Sequence, residues 1–208
     1  LVPQPEAVEQ TLGKEEYKEM QKAISDDCIT LVKYKDQDVL PVTPQRYKRI
    51  MIVHVKGAES GMSFLMKAMG MGGKKNPAEL LKEKLCAKGF DAFIYESPLD
   101  AMKKKIEAGE KPDINLYFAG KNAIADFVKD MDMGITLCDV SSGRPSFGMS
   151  KGGGEIPWYV FELPVVVVGC GQPTMLADIP QARTYINTYD ADSSTFDALV
   201  DKLMAGPE

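Results

Sequence analysis

The chain has 208 residues, a net charge of −5 at pH 7, 44% hydrophobic and 26% charged residues, an ordinary composition for one large globular domain. No long basic stretch is present, so nucleic-acid binding is not expected. No apolar run approaches the roughly 18 residues that a membrane-spanning helix needs, and no signal peptide is recognisable. We therefore expect no membrane partner and a cytoplasmic location.

The cysteines and the histidine do not predict a metal site. The four cysteines form no C-x-x-C pair, and His54 is the only histidine, whereas zinc sites need clustered ligands. Free, buried thiols are the expected state of the cysteines. His54 lies in an apolar segment and is expected to be a satisfied core or strand-end residue.

The first fifth of the chain predicts a linker, a helix and a short hairpin. Residues 1–12 contain two prolines and predict an interdomain linker, so the folded domain is expected at 13–208. Between 13 and 28, apolar residues recur at intervals of three and four, which predicts an amphipathic helix. These residues are Tyr17, Met20, Ile24 and Cys28. A short strand at 29–32 is expected to pair with a hairpin arm at 39–41.

The middle of the chain alternates strands with helices. A strand is predicted at 49–55. Asn76 and Pro77 then begin a helix whose inner face is Ala78, Leu81 and Leu85. Strands follow at 90–95 and 113–118, separated by a second capped helix. Helical spacing at 123–131, a strand at 134–140 and a long Gly- and Ser-rich loop at 141–155 complete this part.

The central strand of the predicted sheet lies near the carboxyl end. Leu163-Pro164 is followed by four valines, and β-branched residues in a run apolar on both faces favour a strand buried inside a parallel sheet. A helical turn at 174–177, a strand at 183–187 and a helix capped by Ser194 and ended by Gly206 follow. The alternation predicts a three-layer α/β/α sandwich with a mainly parallel sheet of five or six strands.

The glycine clusters do not predict a nucleotide site. Residues 70–75 lack the G-x-x-x-x-G-K-[ST] pattern, and Gly169-Cys170-Gly171 lacks a third glycine and is followed closely by Pro173. We expect flexible turns at both places and no cofactor.

Several segments together resemble a known enzyme family. The first are Ala23 to Lys33, Val39-Leu40-Pro41-Val42 and Tyr47 to Ile50. The later ones are Glu155 to Tyr159, Leu163 to Val166, Gln172-Pro173, Ala177 to Pro180, Thr184 to Tyr189 and Ala198 to Met204. In this order they resemble the C-terminal domain of glycoside hydrolase family 3, nearest to its β-N-acetylhexosaminidase and β-glucosidase members. Residues 119–154 match poorly, and Gln172 replaces the family's usual Asn.

The resemblance implies a part of an enzyme. Family members carry an N-terminal TIM-like barrel with the Asp nucleophile and a K-H-F-x-G loop, and neither motif occurs in this chain. The implied partners are that barrel and a carbohydrate substrate. A homodimer is one further partner that the sequence leaves open. The chain alone is expected to be inactive, while the intact parent would remove terminal β-linked sugars, N-acetylglucosamine among them, by a retaining mechanism.

The candidate site residues lie in and just after the long loop. In glucosidase-type members the acid/base Glu comes from a loop of this second domain, which makes Glu155 the candidate. Trp158 and Tyr159, next to a carboxylate, suit a substrate or interdomain contact. The simpler alternative is that both rings pack at the domain edge and that Glu155 and Glu162 are solvated. A free-standing, flavodoxin-like module that binds a small ligand or nucleotide is the competing interpretation of the chain.

Overall fold

A computed structural model describes residues 14–35, 38–56, 76–96, 104–106, 108–111, 128–140 and 163–206. The predicted strand at 113–118 and the predicted loop at 141–155 lie outside these residues. The strands are β1 (Thr30–Tyr34), β2 (Arg49–Lys56), β3 (Asp91–Ile94), β4 (Met133–Val140), β5 (Val165–Gly171) and β6 (Thr184–Asn187). The helices are α1 (Glu15–Cys28), α2 (Pro77–Ala87) and α3 (Ser193–Ala205), with a 3₁₀ turn at Met175–Ala177.

The described strands form one six-stranded sheet in the order β1-β6-β5-β4-β2-β3. Of these six, β2 to β6 pair in parallel, and β1 alone runs antiparallel, at the end beside β6. The predicted mainly parallel α/β fold is therefore confirmed. The chain moves from β2 to β3 in one direction and then from β4 to β6 in the other, so the strand order reverses between β2 and β4.

Alternate residues of the central strands supply two core layers. One layer contains Ile52, Leu137 and Val168 and packs on α2 and α3; the other contains Met51 and Val167 and packs on the segment around Met175–Ala177. All four valines of β5 are at most 2% exposed. The unbroken apolar run of this strand is thus explained by burial on both faces.

The start of α2 follows its sequence signals. Asn76 caps the helix by accepting a hydrogen bond from the Ala78 backbone N–H at 3.1 Å, and Pro77 occupies the first turn. Ala78, Leu81 and Leu85 are fully buried. The inner face that the sequence predicts is therefore the observed one, and it packs in the core layer that contains Ile52, Leu137 and Val168.

Two local predictions were wrong. Residues 39–41 form no hairpin arm: β1 pairs with β6 instead, and Val39, Leu40 and Val42 are buried in the core. Ser194 does not cap α3, because the cap position is Asp192. The Ser194 hydroxyl instead accepts a hydrogen bond from the Gln21 side chain at 3.1 Å.

The helix predicted near the N-terminus is present as α1, but its apolar face is not in the core. Tyr17, Met20 and Ile24 are 45–59% exposed, and Ser25 is the buried residue of the helix. The helix touches α3 through Gln21 and Ser25. Within the described residues, no helix is long and apolar enough to cross a membrane.

We predict that Leu81→Ala lowers the free energy of unfolding by about 2–5 kcal/mol, because it leaves a cavity under α2. Leu31→Ala is the matched control, since Leu31 lies on the edge strand and is 38% exposed. Denaturant unfolding of the two variants measures the difference. Equal losses would contradict the assignment of Leu81 to the core.

Candidate functional site

The candidate site is the edge of the sheet at which the parallel strands end. Strands β2, β4, β5 and β6 all point their carboxyl ends to this edge. In open α/β sheets, ligands bind outside these ends at the point where the strand order reverses. Here that point lies between β2 and β4.

His54 of β2 and Asp139 of β4 meet at this point. The His54 Nε2 atom lies 3.7 Å from Asp139 Oδ2, and the two side chains are 7% and 33% exposed. Both ring nitrogens of His54 are buried and have no hydrogen-bond partner among the residues that the structure describes. His54 is therefore a buried strand residue, as predicted, but it is not satisfied. A buried polar atom without a partner costs free energy, so the pair calls for a functional explanation.

Cys170 and Thr188 continue the edge beyond Asp139. Cys170 pairs with Asp139 in the β4–β5 register, and the Thr188 hydroxyl lies 3.3 Å from its sulfur and donates to the Asp190 carbonyl at 2.7 Å. Burial raises the pKa of Cys170 to about 12, and the charges of Asp139 and Asp190 add to this effect. Cys170 is thus a neutral thiol at physiological pH and a poor nucleophile.

The expectation that all cysteines are buried was half wrong. Cys138 and Cys170 are buried, whereas Cys28 and Cys86 are exposed; all four are free. Burial also raises the pKa of Cys138. No group of three or more metal-ligating side chains occurs among the described residues.

Gly169 is a packing residue of β5 and does not form a flexible turn. A Cβ atom at this position would lie 2.2 Å from the Tyr185 hydroxyl and 2.8 Å from Asn187 Oδ1. The Tyr185 hydroxyl is buried and finds no hydrogen-bond partner in the described part of the chain, and burial raises its pKa. The lack of a side chain at Gly169 therefore lets β6 pack closely against β5, which is a different role from that of a phosphate-binding glycine.

A groove of about 350 Å³ lies beside the end of β6. One side is the apolar face of α1, with Met20 and Ile24, and the other includes Tyr189 and Ser194. Tyr189 has a backbone φ of +60°, a left-handed conformation that is uncommon outside glycine. The groove is thus lined by exposed aromatic and aliphatic side chains with a polar border.

The structure does not describe the four residues of the long loop and its end that the sequence singled out. Glu155, Trp158, Tyr159 and Glu162 lie outside the described residues. The residues that sequence reasoning missed are Asp139 and Thr188. Asp139 carries one usable signal, because it is a charged residue next to the end of a mainly apolar strand, just before the predicted loop.

We predict that Gly169→Ala destabilises the domain by about 1–3 kcal/mol through overpacking. Gly134→Ala, in the neighbouring strand, is the matched control, because its Cβ would meet two side-chain methyl groups at 3.3 and 3.4 Å and the Met51 carbonyl oxygen only at 3.9 Å. Tyr185→Phe should not destabilise the domain, since it removes a buried hydroxyl without a partner. In a denaturant-based double-mutant cycle, Tyr185→Phe should reduce the cost of Gly169→Ala; strict additivity would refute the proposed contact.

Comparison with known proteins gives a consistent picture. No family model matches the chain. A curated protein from Cellulomonas fimi, described as a beta-N-acetylglucosaminidase/beta-glucosidase, is 25% identical over 182 residues, which cover 86% of this chain and 28% of that protein. The chain thus spans less than a third of this relative's length.

Solved structures of related enzymes contain a region with a similar fold. Two structures of the beta-glucoside phosphorylase BglX, one bound to 2FGlc, share 25% and 27% identity with this chain at a TM-score of 0.66, covering 99% of this chain and 33% of theirs. A glycoside hydrolase family 3 beta-N-acetylglucosaminidase from Paenibacillus sp. str. FPU-7 has the same fold, with a TM-score of 0.59 at 15% identity over 94% of this chain and 32% of its own. On motifs, fold and these matches, the chain is similar to the C-terminal α/β domain of glycoside hydrolase family 3 enzymes.

Proposed function

We propose that the chain is the non-catalytic second domain of an enzyme that cleaves terminal β-linked sugars. The observation that carries this proposal is the match to the beta-glucoside phosphorylase over 99% of this chain but only a third of that protein. The name of the Cellulomonas relative supports glucosides and N-acetylglucosaminides as the proposed substrates. In this proposal, residues 1–12 link the domain to an N-terminal TIM-like barrel.

The assignment of the nucleophile rests on the family resemblance. Retaining cleavage needs an ionised carboxylate as nucleophile and a second group as acid/base. The described switch point carries Asp139 beside His54, but the family that the chain resembles holds its Asp nucleophile in the N-terminal barrel. We therefore assign the nucleophile to the barrel. Residues 141–159 are the proposed wall of the active site, with Trp158 and Tyr159 as contacts to the sugar or the barrel.

Water and phosphate are the two candidate acceptors of the sugar in the reaction of the parent enzyme. The Cellulomonas protein is named as a glycosidase, while the two BglX structures are named as a phosphorylase. Hydrolysis and phosphorolysis share the glycosyl-enzyme step and differ in the group that attacks it. Water gives the free sugar, and phosphate gives the sugar 1-phosphate.

We predict that the full-length parent releases 4-nitrophenol from the β-glucoside or the β-N-acetylglucosaminide, whereas this chain alone does not. Running each assay with and without inorganic phosphate, and analysing the sugar product, distinguishes the two acceptors. Turnover by the isolated chain would refute the assignment of the nucleophile to the barrel. A parent inactive on both sugars would refute the proposed substrate class.

For Glu155 we predict that Glu155→Gln in the full-length parent leaves kcat within about twofold, because the domain is proposed to be non-catalytic. Removing a general acid/base costs about 10²–10⁴-fold in rate. Glu162→Gln is the matched control from the same segment. A loss of that size in Glu155→Gln alone would make Glu155 the catalytic acid/base.

A second candidate function is favoured by the buried ring of His54 at the switch point, which has no hydrogen-bond partner among the described residues and lies 3.7 Å from Asp139. A binding module would use His54 and Asp139 to hold a polar small molecule at this edge. It predicts saturable binding of a sugar or nucleotide to the isolated chain by calorimetry, with the affinity reduced in His54→Phe. Absence of binding across both ligand classes would eliminate this candidate.

A further inference from the structure

The orientation of α1 is unusual for a helix at the surface of a domain. Surface helices turn their apolar stripe to the core and their polar side to water. In α1 the stripe of Tyr17, Met20 and Ile24 is 45–59% exposed, and the contacts with α3 are made by Gln21 and Ser25. Among the described residues, the two core layers therefore do not include the apolar face of α1.

The exposed apolar surface continues beyond α1 into the groove. Tyr189, at the end of β6, is 45% exposed and lines the same groove as Met20, Ile24 and Cys28. Four of the eight large hydrophobic side chains that are exposed among the described residues therefore gather in one place. Scattered exposed apolar residues are normal, but contiguous ones mark interaction surfaces.

The charges of α1 argue against a second copy of this chain as the occupant. The helix carries five acidic side chains and two basic ones: Glu15, Glu16, Glu19, Asp26 and Asp27 against Lys18 and Lys22. Two such helices packed antiparallel would bring the acidic first turn of one near the acidic end of the other. Like charges in contact disfavour this pairing.

The length of the relatives points to a different occupant. About two thirds of each matched phosphorylase structure lies outside the region that this chain covers. We infer that the apolar face of α1, together with Tyr189, docks against the larger part of the parent protein. This inference rests on the proposed function, in which the chain is one domain of a longer enzyme. The acidic margin of α1 suits a partner surface that is apolar at its centre and basic at its rim.

The chain contains two matched probes of this docking. Cys28 and Cys86 are both free and exposed, but Cys28 lines the groove and Cys86 lies on α2, outside it. We predict that a water-soluble maleimide modifies both thiols at similar rates in the isolated chain. In the full-length parent, Cys28 should react roughly tenfold or more slowly, because reaction requires the interface to open, while Cys86 should be unchanged. Peptide mass spectrometry assigns each site.

Two variants test whether docking of α1, and not general protection within the larger protein, slows the modification of Cys28. Met20→Gln/Ile24→Gln should restore the reactivity of Cys28 in the parent without changing the melting temperature of the isolated chain. Lys22→Gln, at an exposed position of the same helix, should do neither. The inference is overturned if Cys28 stays equally reactive in the parent, if the double variant unfolds the isolated chain, or if Cys28 is already protected in a dimer of isolated chains. None of these measurements depends on glycoside cleavage, so they test the docking of α1 independently of the proposed substrate.

Discussion

Burial of β5 on both faces is the constraint on which the rest of the structure depends. Its valines supply both core layers, and its neighbours β4 and β6 are held in parallel register on either side. Gly169 lets β6 approach closely enough for Tyr185 to pack beneath the strand. The same register brings Asp139, Cys170 and Thr188 together at the carboxyl edge.

This arrangement separates two kinds of surface on the domain. The carboxyl edge carries polar, partly buried groups, with His54 lacking a hydrogen-bond partner. The face near α1 carries exposed apolar groups, with polar contacts underneath. A domain that worked alone would gain little from leaving Met20 and Ile24 in water, since burying such side chains is worth about 1.5–3 kcal/mol each. The second surface is therefore best explained by association.

The fold could be predicted where local chemistry and tertiary environment agree. The β5 valines, Asn76-Pro77 before α2, and Gly206 after α3 each act through nearby atoms, and each was correctly interpreted. Prediction was wrong where the partner is distant in sequence. Val39 and Leu40 are buried in the core and do not pair with β1, whose partner β6 lies about 150 residues further along the chain. The apolar stripe on α1 identified a helix without revealing what it faces.

The site was harder to predict for the same reason. His54 and Asp139 are 85 positions apart, and only the register of β2 with β4 brings them to 3.7 Å. Cys170 is buried and Cys28 is exposed, because Cys170 lies in a central strand and Cys28 lies at the end of an outer helix. Their difference depends on strand order, which composition and periodicity do not encode.

Native-state hydrogen exchange on the isolated chain tests the central claim most directly. That claim is that β5 and its neighbours form the cooperative core of the domain, while α1, whose apolar face is exposed, lies outside that core. The account predicts the slowest exchange in β4, β5 and β6, and exchange in α1 that is faster by orders of magnitude. Amides of α1 that exchange as slowly as those of β5 would show that the helix belongs to the cooperative core, and would contradict the account.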